Sequence, residues 1–360
     1  MQPQNAKEAL RLALPNYSGR SVDIFLGNLL YNEPSWAALR PFLASRGYRL
    51  RPRYQPDWIP SWTNYPGPID NLRVFEDALT PPRSNLMDAV RERDGLKVVL
   101  KCVDIPTEEI ELAQYLNSPQ LLSDPRNRSV RILEIIPLPD DKTRALIVMP
   151  LLLPFSILPF RRVGEFAEAV SQFLQGLEFM HEHKIAHRDA CFYNLMMDGS
   201  RIVPRGFHFL NPWTHDGVNR KGFEWRDRWS VRPVQYYFID FGLSHRYPSS
   251  AQNIKDTGIF GQDDVPEHSL ETPYDPFKSD VYQLGNVILK VLSDYEGMEL
   301  FVQLGRAMTN KKPDERPSPS EALKLLASLD KGTLRRRIWR RSTSSRDRFM
   351  IKYCRAKYVV

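Results

Sequence analysis

Apolar residues along the chain follow two periods, and the longest helical stretch is the clearest. Phe166, Val170, Phe173, Leu174, Leu177 and Met180 recur every three or four residues, which predicts an amphipathic helix whose apolar stripe is core. A shorter stripe of Ile110, Leu112, Ala113 and Leu116 opens at Pro106 and Thr107 and ends before Pro119, with Glu108, Glu109 and Glu111 in its first turns. A third helix is predicted over Ser35 to Arg46, with Ser35 as N-cap, Trp36, Leu39 and Leu43 on one face, and Gly47 as the stop. From Leu86 to Cys102 the pattern becomes strand, turn, strand about Asp94 and Gly95, with Val98, Val99 and Leu100 as a buried run ending in Lys101. Val130 to Ile136 and Ala145 to Met149 read as two more strands joined by a Pro-Asp-Asp-Lys turn, and Leu195 to Met197 and Tyr236 to Ile239 are also β-like.

Between these elements lie stretches that cannot be regular. Arg51 to Pro68 is too rich in proline for a long helix or a central strand, so it should run extended against the body, its tryptophans serving as anchors rather than as a ligand patch. The run after Met149, with Pro150, Pro154 and Pro159, reads as a linker and not as a membrane span. Residues 198–235 are an aromatic and basic insert without periodicity, long for a loop in a compact domain. No internal repeat is present. The resulting division is an extension over 1–80, a small β-rich part over 81–150, a larger helical part over 151–330, and a tail over 331–360.

Composition narrows the class. At 360 residues, 42% hydrophobic and 26% charged, the chain can bury a sizeable core. The net charge of +7 is misleading, because residues 331–360 hold eleven Lys and Arg against the single acid Asp347, a surplus larger than that of the whole chain. The body is therefore net acidic. The tail arginines 335, 336, 337, 340 and 341 around Trp339 suit nucleic acid or an acidic membrane surface, but a solvated tail is the favoured reading. Cys102, Cys191 and Cys354 form no C-x-x-C pair, so neither a disulfide framework nor a zinc site is expected. The first residues lack a secretory pattern. These features predict an intracellular protein, cytoplasmic or nuclear.

The candidate chemistry centres on His187 to Asn194, His-Arg-Asp-Ala-Cys-Phe-Tyr-Asn, which sets the carboxylate of Asp189 five residues before the amide of Asn194. Downstream come Asp240-Phe241-Gly242, Val265-Pro266-Glu267, Asp280 in a helical segment, and Arg316 between two prolines. With Val-Val-Leu-Lys ending at Lys101, this ordered set resembles the eukaryotic protein-kinase superfamily over roughly residues 86–330, and more weakly the kinase-like proteins of mushroom-forming fungi. The resemblance implies an α+β, two-lobed fold with a small antiparallel sheet and a mainly helical large lobe. It implies ATP and Mg2+ as cofactors and a protein hydroxyl, Ser or Thr, as acceptor. By position Asp189 matches the base, Asn194 and Asp240 the magnesium ligands, and Lys101 with Glu109 the lysine and its helix partner. Met149 matches the residue guarding the adenine pocket, with Pro150, Leu151 and Leu152 as the hinge. Glu267 and Arg316 match a buried ion pair, and Asp280 the carboxylate that holds the catalytic-loop backbone; His187, Phe241 and Gly242 complete the structural set. Arg188 matches an arginine that pairs with an activation-segment phosphate, for which Ser244, Ser249, Ser250 and Thr257 are candidates.

The sequence departs from that family in four places. Between Asn71 and Lys101 the only glycine is Gly95, so no glycine-rich phosphate loop is present. Lys101 and Glu109 are only eight residues apart, Cys191 stands where serine/threonine kinases usually carry a lysine, and Ala113 is small for its place. The alternative is accordingly a pseudokinase that binds ATP or partners as a scaffold. His181, Glu182 and His183 end a predicted helix and are read as capping residues, not as a metal site.

Overall fold

The computed structural model describes residues 24, 27–30, 33–66, 71–105, 107–258, 261, 262 and 264–341. Pro106, the first residues read for a signal, and the tail from 342 with Asp347 and Cys354 lie outside the described residues. The chain is mixed α and β with an antiparallel sheet, and it divides into two compact units. One comprises Met1–Pro106, Arg131–Leu151 and Val203–Trp225; the other Thr107–Val130, Leu152–Ile202 and Arg226–Val360. The units cut the chain differently from the sequence boundaries. No break falls near residue 80, and the middle of the 198–235 insert groups with the sheet.

The first unit is a five-stranded sheet in the order β1-β2-β3-β5-β4, antiparallel throughout: β1 Tyr48–Leu50, β2 Leu86–Arg91, β3 Leu96–Asp104, β4 Glu134–Pro137 and β5 Arg144–Pro150. The β2–β3 hairpin turns where the sequence predicts, because Gly95 adopts φ 69° and its N–H donates to Arg91 O at 2.8 Å. Strand β3 is the centre of the sheet, which is why Val98, Val99 and Leu100 form an unbroken apolar run. Helix α1, Glu33–Ser45, starts two residues before the expected cap and places Trp36 and Leu43 on the core of Met87, Leu100, Leu146 and Val148. Its end is fixed by Gly47 at φ 78°. Strand β4 is shorter than the predicted Val130 to Ile136, because Val130 donates its N–H to Phe238 O in the other unit's own ladder.

Strand β1 is absent from the sequence pattern, and its link to β2 runs from Arg51 to Asn85. That link folds on a small aromatic core of Trp62, Leu72 and Ala78 with Trp58 and Phe75 against it. Buried Asp77 gathers it by accepting Trp58 Nε1–H at 3.0 Å, Ser61 N–H at 2.9 Å and Ser61 Oγ–H at 2.6 Å. Arg53, with no exposed side chain, forks onto both oxygens of Glu33 at 2.7 and 2.9 Å and also donates to the Asp77 and Asn28 carbonyls. The 203–225 segment is tied to the same sheet by Lys97 Nζ, which donates to Phe207 O at 2.8 Å, and to the β1–β2 link by His208, 3.0 Å from Glu76 Oε1.

The second unit is mainly helical: α2 Glu108–Leu116, α3 Val163–Glu182, α4 Pro276–Ser293, α5 Leu300–Met308 and α6 Pro319–Ala327. The predicted stripe of α3 is buried in full, and Gly176 allows Phe238 to approach where a Cβ would lie 2.8 Å from the ring. Helix α4 starts sharply because Asp275 accepts the N–H groups of Phe277 and Lys278 and Pro276 occupies the first turn. Among its short ladders are two that matter for the site, β6 (Leu153–Pro154), β8 (Leu195–Met197) and β9 (Tyr236–Phe238) in one, β7 (Ile185–Ala186) and β10 (His245–Arg246) in the other. No helix among the described residues is long and apolar enough to cross a membrane.

Candidate functional site

The β7–β10 ribbon brings two chain segments side by side, with Ala186 opposite His245 and Ile185 opposite Arg246. The loop 187–194 leaves β7, and the Asp240-Phe241-Gly242 turn lies just before β10. Both carry non-glycine residues in the left-handed region, Arg188 at φ 63° and Asp240 at φ 64°. Such a conformation costs about 1–3 kcal/mol per residue and persists only where surrounding bonds enforce it.

At Arg188 the enforcing bonds come from α4. Asp280, wholly buried, accepts Arg188 N–H at 2.7 Å on one oxygen and His187 N–H at 2.8 Å on the other, and lies 3.0 Å from His181 Nε2. One turn further along α4, Gln283 accepts Ala190 N–H at 2.8 Å and donates to Arg188 O at 2.9 Å. Two side chains on one helix face thus hold the backbone of residues 187, 188 and 190, on either side of Asp189. The resemblance implied a loop-holding carboxylate at Asp280, and Asp280 does accept the N–H groups of residues 187 and 188. Gln283 was missed, although its spacing of three from Asp280 places it on the same face.

The loop backbone being fixed, Asp189 and Asn194 meet. Asn194 Nδ2–H donates to Asp189 Oδ2 at 2.7 Å and to Asp189 O at 2.9 Å, and both residues are buried. The amide nitrogen is therefore committed to Asp189, which orients Asn194 Oδ1 as the group's remaining donor atom. The other Asp189 oxygen, Oδ1, accepts Gln262 N–H at 2.8 Å. Gly261 lies so close to this loop that a Cβ there would stand 2.6 Å from Asp189 Oδ1 and from Arg188 O.

His187 is fully buried between the rings of Phe238 and Phe241, at 5.3 and 5.1 Å. Its Nε2 faces Ile239 O at 3.2 Å and its Nδ1 faces Asp189 N–H at 3.3 Å, so the pairing fixes a neutral ring protonated at Nε2. Burial lowers its pKa, against the pull of Asp280, Asp189 and Asp240 in the opposite direction. The imidazole is a packed bracket, not a titrating acid.

Glu267 and Arg316 form a forked pair with contacts of 2.5 and 2.7 Å. Arg316 also donates to Asn310 O and Lys278 O and has no exposed side chain, while Ser279 Oγ–H donates to Glu267 at 3.1 Å. Burial works to raise the Glu267 carboxyl, but Arg316 and Ser279 outweigh it and hold the group below its ordinary value.

Glu109 is buried in the first turn of α2, while its neighbour Ile110 is only half-buried, the reverse of what apolar periodicity predicts. Lys101 is buried on β3, in the other unit, with Leu86 and Ile147 as its sheet neighbours. Met149 pairs with Val99, and Leu151 N–H donates to Lys97 O at 3.0 Å, so that amide is already committed within the sheet unit. Gly242 is exposed and Asp240 half-buried. Cys191 is buried, and neither it nor Cys102 is in a disulfide.

No cluster of three or more His, Cys, Asp or Glu side chains suited to a metal occurs among the described residues. His181 is engaged by Asp280, His183 Nδ1 by Phe179 O, and Glu182 by Arg126. The oxygen donors of Asn194 and Asp240 are hard ligands of the kind that bind magnesium in company with phosphate oxygens and water. Compared with known proteins, the sequence matches no family model and no curated protein.

Proposed function

We propose that the chain has the two-lobed protein-kinase fold and is an ATP-dependent protein kinase, transferring the γ-phosphoryl group to a Ser or Thr hydroxyl. The observation that carries this reading is the Asp189–Asn194 pair on a loop whose backbone is held by Asp280 and Gln283. Phosphoryl transfer asks little of a protein beyond positioning and charge neutralisation. A loop held at residues 187, 188 and 190 suits that demand.

In this reading Asp189 orients and accepts the proton of the attacking hydroxyl. Asn194 steadies Asp189 through Nδ2, and its Oδ1 together with the Asp240 carboxylate would hold a magnesium ion. The magnesium would neutralise phosphate charge. Lys101 is assigned to the α and β phosphates, as the resemblance implies. Gln262 N–H occupies one acceptor position of Asp189 Oδ1 and so shares the carboxylate with the incoming hydroxyl.

The alternative, a pseudokinase scaffold, draws on one specific observation: the β1–β2 link is an aromatic and ion-paired excursion and not a glycine-rich cradle. Mass spectrometry of the protein and of a broad peptide library after incubation with Mg-ATP separates the two. Phosphoryl groups on Ser or Thr are expected. A complete lack of phosphorylated product, with Mg-ATP still raising the melting temperature, would favour the scaffold.

A further inference from the structure

Arg188 has its backbone fixed by Asp280 and Gln283, so its side chain leaves the loop in a set direction. The guanidinium meets the carboxylate of Asp256, together with the Tyr247 hydroxyl at 2.8 Å and Leu243 O at 3.4 Å. Tyr247 donates its O–H to the same Asp256 oxygen at 2.5 Å. Burial pushes the Tyr247 phenol up to about 12 despite Arg188, so it stays protonated as a donor. The second Asp256 oxygen accepts Thr257 N–H at 2.9 Å, and the Asp256 backbone exchanges two bonds with Tyr274, at 2.8 and 2.9 Å, next to the Asp275 cap of α4. Both side chains of the ion pair are largely covered, 12% and 18% exposed. All these residues belong to the helical unit.

Kinase activation segments are commonly ordered by a phosphate that pairs with arginine. Here the arginine beside the catalytic acid already has an anion, and that anion is encoded in the sequence. Of the four hydroxyls considered as phosphate acceptors, Ser244 is buried and donates to His187 O at 3.0 Å, a structural role within the loop. Ser249, Ser250 and Thr257 are exposed, but Arg188 is turned to Asp256.

We propose that Asp256 is a positioning residue that stands in for an activating phosphate. Through Arg188 it holds residues 243–258 against the loop that carries Asp189, so transfer requires no prior phosphorylation of the segment. The inference rests on the kinase reading, since it assigns the regulation of that site.

The test uses the full chain, treated with a protein phosphatase and shown by mass spectrometry to be unmodified over 240–267. Wild type should keep its phosphotransfer rate. Asp256→Ala and Asp256→Asn should each lower kcat about tenfold or more, the scale of a lost charge-assisted hydrogen bond, with the KM for ATP unchanged. Asp256→Glu should restore most of the rate, and inorganic sulfate should return part of it to Asp256→Ala. The proposal is overturned if Asp256→Ala matches wild type, if Asp256→Glu is as impaired as Asp256→Asn, or if phosphatase treatment alone silences wild type. Hydrogen exchange gives a readout independent of catalysis. Asp256→Ala should exchange faster across 243–258, with sulfate reversing the change, whereas unaltered exchange overturns the positioning role. If wild type transfers nothing, the kinase reading fails while exchange still decides whether Asp256 orders the segment.

Discussion

The loop 187–194 in the helical unit and the link from Arg51 to Asn85 in the sheet unit are both ordered by buried charge, but the charges act on different partners. In the loop, Asp280 and Gln283 direct polar atoms to backbone groups of residues 187, 188 and 190, which leaves the Asp189 carboxylate presented by a fixed chain. In the link, Arg53 takes Glu33 and Asp77 takes Trp58 and Ser61, so side chains largely consume one another. A buried polar residue can therefore serve either of two ends. Bonded to backbone, it frees a neighbouring side chain for chemistry; bonded mainly to other side chains, it closes a region into scaffold.

The largest expected effect is on catalysis. Lys101→Met should abolish phosphotransfer, by about 10²-fold or more if the lysine supplies electrostatic stabilisation, as steady-state rates with Mg-ATP will show. Next come the structural charges. Arg316→Ala and Arg53→Ala strand a partly buried and a buried carboxylate, Glu267 and Glu33, and should each cost about 3–5 kcal/mol in urea unfolding. Only Arg316→Ala should also slow transfer per folded molecule, because Glu267 tethers the segment that carries Gln262. Equal rates for the two variants would remove the distinction between loop and link.

Acid sensitivity probes both regions at once. Glu267 and Glu33 are both held below the ordinary carboxyl value; at Glu33 burial opposes this, but bonds from Arg53, Leu30 N–H and Tyr54 prevail. Each therefore contributes stability that is complete above the unfolded value of about 4.5 and is lost as pH falls through the lower folded value. Melting temperature should drop below about pH 4.5, and Arg316→Ala should show a shallower drop than wild type. The smallest effect belongs to Lys97→Met, which removes one bond to Phe207 O. It should lower stability by about 1 kcal/mol and leave transfer unchanged, in contrast to Lys101→Met four residues along the same strand.

Much of the fold was legible where the signal is local. The stripe of α3 and the Asp94-Gly95 hairpin rest on periodicity and turn chemistry within a few residues, and both stand where the pattern put them. Strand β1 was not legible, because three residues amid proline-rich chain carry too little alternation to register. The grouping of residues 203–225 with the sheet depends on Lys97 and His208, whose partners lie 110 and 132 positions away. For the candidate site, Asp189, Asn194, Asp280, Glu267 and Arg316 were chosen as a set by their order. Gln283, Gln262 and the Arg188–Asp256 pair were not, since none has a distinctive neighbour in sequence and each acts through a distant loop.

The central claim is that Asp189 is the group that handles the acceptor's proton. Its direct test is the rate of γ-phosphoryl transfer from radiolabelled Mg-ATP by wild type and by Asp189→Asn, an isosteric change that still accepts Gln262 N–H. The account predicts a loss of about 10²–10⁴-fold per folded molecule, the usual contribution of a general base, together with a lower melting temperature, because the new amide sets an N–H against Asn194 Nδ2–H. Identical labelling by the two proteins would contradict it.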